Sequence, residues 1–499
     1  MAEQSDPGTV ETPIVDVVDE RLGRQSWYQR LMTRPDSGAL AGVILVFLFF
    51  AFTAGDTGMF ASDGILSWMT VTAQLMIIGS GAALLMIGGE FDLSVGSMIG
   101  FSGMMIAIPT IYFNVPVGVS VILAFGVVSF FADMAYEGMR SSTGPFMALL
   151  GASGTVVGFV AGAGELFGYV LRAVSGRIAE KTRAYWGFTL AGYILQMAVI
   201  PLLGLCGNWQ MAAVIIVLER TGKAIRNPTN NFMMSRAGEH IGQGWAFGLQ
   251  EAMDQAGAMA GPLIVALVLA HHGSYTHAFF WLAIPAVLTL ISVFTVALRF
   301  PYAGHTVAPQ QHFSFTLPRA YWLYAASSAL VAFGFADYPL IAYHFKQAHI
   351  VSDTTIPILY SVAMATSGIG ALLFGIAFDK RGFAIFPSAI LAAALVTPLA
   401  FLGGRDLAIV GAGLWGLALG AQNSILTAGV AKIVPEHSRA RAYGFFSGIF
   451  GISWFIGSAV MGLLYDVSLT ALVLVSVLAE ILALLPLLAA IRLRPRLPS

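Results

Sequence analysis

Apolar stretches of membrane-crossing length recur from residue 37 almost to the C-terminus, separated by short polar breaks. A membrane helix needs about 20 mostly apolar residues. Three stretches come early, at 37–52, 65–87 and 95–112. Twelve more follow, at 118–135, 146–171, 185–206, 210–231, 244–270 and 276–298, then at 321–345, 357–378, 384–402, 407–430, 443–464 and 470–491. A polar break at 302–315, with His305, Pro309, Gln310, Gln311 and His312, falls after the sixth of the twelve. The pattern reads as an all-α, polytopic membrane protein of two six-helix halves, 118–300 and 319–499, joined by a cytoplasmic linker, 301–318.

Basic residues test this count, because cytoplasmic loops accumulate Lys and Arg. With segments 1 to 12 numbered from residue 118 and the start of segment 1 inside, the expected inside loops hold Arg172, Arg177, Lys181 and Arg183 after segment 2, and Arg236 after segment 4. Arg299 and Arg319 flank the linker, Lys380 and Arg381 follow segment 8, and Lys432, Arg439 and Arg441 follow segment 10. Arg492, Arg494 and Arg496 end the chain, whereas the expected outside loops hold Arg140, Lys346 and Arg405. The asymmetry places a multi-pass protein in a cytoplasmic, inner-type membrane.

Composition agrees: 57% of the 499 residues are hydrophobic and 10% charged, so lipid must be the solvent. A net charge of −1 points to no nucleic-acid partner, and one cysteine, Cys206, excludes an intramolecular disulfide and a cysteine-based metal site. No phosphate loop, nucleophile elbow or metal-spaced His cluster is present, and His271-His272 lies at an outer helix end, so neither an enzyme nor a cofactor is expected.

After segment 8 stands Gly375-Ile-Ala-Phe-Asp379-Lys380-Arg381-Gly382. The glycine lets two helices approach, and the Asp can accept from the first amides of segment 11 or pair with basic neighbours, latching one conformation. The place after segment 2 reads Gly176-Arg-Ile-Ala-Glu180-Lys181-Thr-Arg183, with Glu for Asp and no second glycine. Segment 5 carries Gly257-Ala-Met-Ala-Gly261-Pro262, a small-xxx-small face with a proline. On these residues the stretch 118–499 resembles the major facilitator superfamily. Its signature loop is matched after segment 8 and loosely after segment 2, and the glycine-proline motif of its proton-coupled exporters is similar to segment 5. The resemblance implies a twelve-helix secondary transporter whose segments 1, 4, 7 and 10 line a central cavity, and whose helix-4 arginine is similar to Arg220.

Charges inside membrane segments are costly and need a reason, each about 2.5–3.5 kcal/mol at mid-bilayer. Segment 1 holds Asp133 and Glu137, segment 2 Glu165, segment 4 Glu219 and Arg220 with Lys223 and Arg226 beyond, and segment 5 Glu251, Asp254 and Gln255. A carboxylate in a half-dry cavity can take up a proton as access alternates. Asp133 and Glu251 are the expected proton carriers, tuned by Arg220, with Glu137, Glu219 and Asp254 as further candidates. Asp337 and Tyr338 on segment 7, and Gln422 and Asn423 on segment 10, are candidates for the substrate cavity. For Glu165–Arg172 and Glu219–Arg220 a fixed ion pair is the favoured reading. For Asp133 and Glu137 a solvated mouth or a helix–helix hydrogen bond competes with coupling.

Residues 1–36, acidic to Glu20 and then basic at Arg21, Arg24, Arg30 and Arg34, read as a disordered cytoplasmic tail without a signal peptide. Between them and the twelve segments, 37–117 forms a further membrane segment. Its run Gly89-Glu90-Phe91-Asp92-Leu93-Ser94-Val95-Gly96 closely resembles the N-terminal part of permease subunits of ribose-type ABC sugar importers. No coupling loop for an ATPase follows, so an ABC ATPase partner is not expected. With the tail inside, three early crossings conflict with the charge rule, so 65–87 and 95–112 are expected to act partly as one broken unit. The expected function is proton-coupled antiport, exporting a small organic solute as a monomer. The alternatives are an uptake symporter and a degenerate permease fragment serving as an assembly subunit.

Overall fold

The structure is a computed structural model that describes residues 61, 117–237, 243–299, 317–435 and 439–493. Among them every regular element is helical, and these elements lie in one compact unit, residues 94–499. The N-terminal half comprises α1 (Val117–Leu149), α2 (Gly154–Thr182), α3 (Tyr185–Leu202), α4 (Trp209–Ala237), α5 (Gln243–His272), α6 (Tyr275–Trp281) and α7 (Ala283–Arg299). The C-terminal half comprises α8 (Arg319–Gly334), α9 (Tyr338–Gln347), α10 (Thr355–Arg381), α11 (Phe386–Thr397), α12 (Arg405–Ile433), α13 (Arg439–Val467) and α14 (Leu469–Leu493). The tail 1–36, the permease-like stretch 37–117 up to residue 116, and linker residues 301–316 lie outside the described residues.

Ten stretches among the described residues are long and apolar enough to cross a membrane. One of them, Thr355–Leu402, is α10 and α11 together. The chain turns at Gly382, whose φ of +57° suits glycine alone, which explains the last glycine of the loop motif. It then returns until the Phe401 ring lies 5.1 Å from that of His344 near the end of α9. The helix α4, with Glu219, Arg220, Lys223 and Arg226 along its middle, is not among the ten and packs between α2 and α3.

Of the boundaries that differ from the expectation, two shape the site. Residues 136–145 were to form an outside loop bearing Arg140; instead α1 runs through them to Leu149, Pro145 included, and α2 begins at Gly154. The polar run that depresses hydropathy there is satisfied inside the protein: Ser141 Oγ donates to the Gly138 carbonyl (2.7 Å) and Thr143 Oγ1 to that of Arg140 (3.0 Å). Segment 7, expected to be continuous, breaks at Phe335–Asp337 between α8 and α9. Side chains from neighbouring helices meet the carbonyls this break leaves free. Ser476 Oγ donates to Gly334 O at 2.6 Å and Trp415 Nε1 to Ala336 O at 2.8 Å.

Both motif faces of α5 pack backbone to backbone on α1. A methyl on Gly257 would lie 2.1 Å from the Phe130 carbonyl oxygen, and one on Gly261 2.0 Å from that of Met134, so nothing larger than hydrogen fits. The loop-motif residues Glu180, Lys181, Asp379 and Lys380 stand exposed in the last turns of α2 and α10, with Gly176 and Gly375 one turn or more inside. Among the described residues Asp379 makes no hydrogen bond or ion pair.

These last turns, with Arg177, Lys181, Lys380, Arg381, Lys432 and Arg492, define a basic end of the bundle. The halves are fastened at the opposite, far end. Asp466 near the end of α13 caps the start of α2, accepting from the amides of Gly154 (2.9 Å) and Thr155 (2.8 Å). Tyr343 Oη donates to the Ala152 carbonyl (3.0 Å), and Ser361 Oγ to that of Met259 (2.8 Å). On the basic side of mid-depth, Arg172, Phe247 and Glu251 are exposed.

Candidate functional site

On α1, Asp133, Glu137, Arg140 and Gly144 recur every three or four residues and share one face. Gly144 brings this face against α9, where a methyl would strike the Pro339 carbonyl oxygen. Arg140 thereby reaches across the seam between the halves. Its guanidinium Nη2 lies 3.5 Å from Glu165 Oε1 on α2 and 3.5 Å from Asp337 Oδ1 in the α8–α9 break. Asp337 is buried, and its other oxygen accepts from Trp454 Nε1 (3.0 Å) and Ser458 Oγ (2.9 Å) on α13. The carboxylate that should cap α9 is thus committed to the seam instead.

From Glu165 the chain of contacts continues inward. Arg220 Nη1 sits 3.0 Å from Glu165 Oε1, and its Nε 3.7 Å from Glu219 Oε2. Glu219, fully buried, accepts from Gln196 Nε2 of α3 at 2.6 Å. The Gln196 carbonyl in turn accepts from Arg226 Nε at 2.6 Å, and Arg226 Nη1 donates to Tyr193 Oη at 3.0 Å. One uninterrupted polar path therefore runs from Trp454 and Ser458 in the C-terminal half to Tyr193 in the N-terminal half. Charges of opposite sign alternate along it, which favours keeping such groups buried, while Glu219 Oε2 and Asp337 Oδ1 face their arginines at 3.7 and 3.5 Å without a hydrogen bond. At 1.5 Å per helical residue, Arg140, Glu165, Arg220 and Asp337 lie roughly 14–17 Å from the far ends of their helices, near mid-bilayer.

The expected proton carriers flank this path. Asp133 is half-buried, and the charged groups acting on it are Lys223, Glu137, Arg226 and Glu251. Lys223 Nζ rests 3.7 Å from the centroid of the buried Tyr136 ring, with Arg220 5.0 Å from the same ring. Glu251 is exposed and accepts from Gln255 Nε2 (3.2 Å), while Asp254 is half-buried beside Asp133 and Glu251. Glu137 is buried rather than solvated, and accepts from Tyr360 Oη of α10 at 2.5 Å, a second link between the halves. A cavity of about 20 Å³, the size of one water, lies against Arg140, Thr143 and Arg220.

The favoured Glu165–Arg172 pair is not formed. Arg172 is exposed and lies over the Tyr169 ring (5.5 Å), while Glu165 turns to the two buried arginines. Two guanidiniums aimed into the seam outcompete one in solvent. The Glu219–Arg220 pair does form. Tyr338 is enclosed among Tyr360 (4.4 Å) and Trp415 (5.1 Å), and Gln422 is buried with both amide atoms unpartnered, whereas Asn423 is exposed. Sequence reasoning missed Arg140, Gln196, Tyr193, Tyr360, Trp454 and Ser458. The α1 spacing could have revealed Arg140, and the pair Tyr193 and Gln196, three apart in an apolar segment, was a weaker signal. Among the described residues no group of three or more His, Cys, Asp or Glu is placed to hold a metal ion.

Comparison with known proteins agrees with this architecture. The sequence profile of the Major Facilitator Superfamily matches residues 120–426 and 325–499. An uncharacterized protein of Mycobacterium tuberculosis is 37% identical over 389 residues, covering 76% of this chain and 94% of the relative. An uncharacterized MFS-type transporter of Methanocaldococcus jannaschii is 27% identical over 361 residues, 69% of this chain and 88% of its own. Among solved structures, a nucleoside transporter superposes with a TM-score of 0.62 at 14% identity, covering 75% of this chain and 99% of that one. A bacterial homolog of the human lysosomal transporter Spinster, inward-facing and unoccupied, gives 0.56 at 15% identity over 77% of this chain and 99% of its own.

Proposed function

This chain belongs to the Major Facilitator Superfamily, and on that premise we propose that it exports a small organic solute by proton antiport across the cytoplasmic membrane, working as a monomer. The observation that carries the reading is Arg140, held between Glu165 of its own half and Asp337 of the other. A two-sided ion pair at mid-depth is a gate: it holds while both carboxylates are charged and the far end is closed. The acids beside it, Asp133, Glu251 and Asp254, lie on the side where the helices turn exposed faces toward the basic, cytoplasmic end. A proton arriving at Asp133 removes the charge that faces Lys223 and Arg226. Arg226 then binds Gln196 more strongly, Gln196 draws Glu219 away from Arg220, Arg220 takes Glu165 from Arg140, and the gate loosens.

Glu251 and Asp254 are the proton entry on α5, and Gln422 and Asn423 face the solute from α12. The basic turns carrying Gly176, Glu180, Lys181, Asp379, Lys380 and Gly382 latch the cytoplasmic end in the alternate state, where α2 approaches α13. The permease-like stretch 37–117 is an appendage to this machine and docks no ATPase. Uptake by proton symport, through the same acids and the same seam, is the second reading.

Proteoliposomes loaded with a pH-sensitive dye and challenged with a panel of nucleosides, short peptides and lipophilic cations test both readings. With solute added outside, antiport carries protons out as solute enters and makes the lumen more alkaline, whereas symport carries both inward and acidifies it. Asp133→Asn and Glu251→Gln should abolish the proton signal and leave solute exchange between equal pools intact. Proton flux that survives both substitutions would remove these acids from the mechanism.

A further inference from the structure

The C-terminal half holds a buried acid that the gate does not use. Glu480, eleven residues into α14, is 0% exposed, and neither of its carboxyl oxygens has a hydrogen-bond partner among the described residues. Its depth is about 17 Å from the far end of α14, level with Asp337. The groups facing it are Gly334 at the end of α8, where a methyl would lie 3.0 Å from Glu480 Cγ, and Ser476 one turn earlier on its own helix. No charged side chain of α8, α11 or α13 acts on it among the described residues. An ionised carboxylate without a partner in such a site is prohibitive, so the group is a neutral acid in this conformation.

Its surroundings are two places where the second half departs from regular α-helix. Ser476 Oγ donates to Gly334 O (2.6 Å), the last carbonyl before the α8–α9 break, and accepts from Thr397 Oγ1 (3.0 Å). Thr397 is the residue before the π turn Pro398–Leu402, which packs on α14. A single hydroxyl, four residues from the acid and on the same helix face, therefore ties both irregularities together. Three residues beyond Gly334 stands Asp337, the gate carboxylate.

We propose that Glu480 is a second proton-binding site, separate from the cavity acids, which sets the α8–α9 break and through it the hold of Asp337 on Arg140. When the proton leaves to water, the Glu480 carboxylate takes the hydroxyl of Ser476. Ser476 lets go of Gly334 O, the break loses the bond that fixes it, and Asp337 withdraws from the seam. When the proton returns, the Ser476–Gly334 bond re-forms and the far end closes. One proton and one hydrogen bond change hands in each direction. This device rests on the gate reading above but not on the cavity acids.

The test uses the full chain in liposomes, with protons as the only ligand. Spin labels are placed at Leu149→Cys and Val467→Cys, both exposed at the far ends of α1 and α13, in a Cys206→Ser background. The label distance is followed across a pH series. Glu480→Gln keeps a neutral, isosteric side chain, so a merely structural role would leave the pH response unchanged. The expected result is loss of one pH-dependent component in Glu480→Gln and of the same component in Ser476→Ala, which keeps the acid. One component of the protonated-carboxyl infrared band should be lost in Glu480→Gln and kept in Asp133→Asn. Asp133→Asn should retain the Glu480 component. An unchanged pH response in Glu480→Gln would overturn the proposal. So would a normal response in Ser476→Ala, which also decides the matter if Glu480→Gln does not fold. A response lost in Asp133→Asn and kept in Glu480→Gln would leave the cavity reading standing and this one refuted.

Discussion

At the scale of single residues, Arg140 carries the most consequence, because among the described residues it alone touches carboxylates of both halves. Arg140→Gln should cost about 3–5 kcal/mol of stability, since it leaves Asp337 and part of Glu165 buried and uncompensated. Asp337→Asn in the same chain should return part of that loss, and a chemical-denaturation double-mutant cycle in detergent measures it; strictly additive losses would show that the two side chains do not act as a pair. Gln196 is the second decisive residue. It bonds a carboxylate with its amide nitrogen and a guanidinium with its oxygen, so Gln196→Leu removes two charge-assisted hydrogen bonds. Each should cost about 1.5–3 kcal/mol in the same assay, while Gln196→Glu, which places a second negative charge beside Glu219, should cost more than Gln196→Leu.

At the scale of elements, the seam works because backbone approaches backbone. The α1–α5 contact at Gly257 and Gly261 has no room for a methyl, and the face that carries Asp133 and Glu137 is fixed by it. Gly261→Val should overpack this contact by about 1–3 kcal/mol or more, lowering the melting temperature. Gly248→Ala on the same helix meets nothing within 4 Å and should be neutral or gain up to about 1 kcal/mol. Equal effects of the two substitutions would mean that the glycines serve flexibility and not close packing. Pro262, buried one residue beyond Gly261, is part of the same contact. The break between α8 and α9 is likewise a built feature, since side chains of α12 and α14 meet its freed carbonyls.

At the scale of the molecule, two halves are joined from mid-depth to the far end, and transport requires that junction to open. Cysteines at Thr155 and Asp466, whose side chains now touch at 2.6 Å, should stop turnover when bridged by a short bifunctional reagent, and cleavage of the bridge should restore it. Transport that continues through the bridge would exclude a rigid-body motion of α2 against α13. Much of this architecture is legible in the chain: hydropathy yields the helical, membrane-spanning class, and Gly375–Gly382 with Gly257–Pro262 point to the family. Those signals are local and additive, so they survive any error in packing. The pairing of charges is neither. Glu165 could meet Arg172 seven residues along its own helix or Arg140 and Arg220 from two others, and only the placement of α1, α2 and α4 decided for the latter. The same packing drew Arg140 from an expected loop into α1, broke the helix at Phe335–Asp337, and left Glu480 without a partner. Sequence by itself determined where the apolar stretches and the family motifs lie along the chain. Tertiary structure alone decided which buried charges face each other, because an ion pair is set by distances between helices that no single helix specifies.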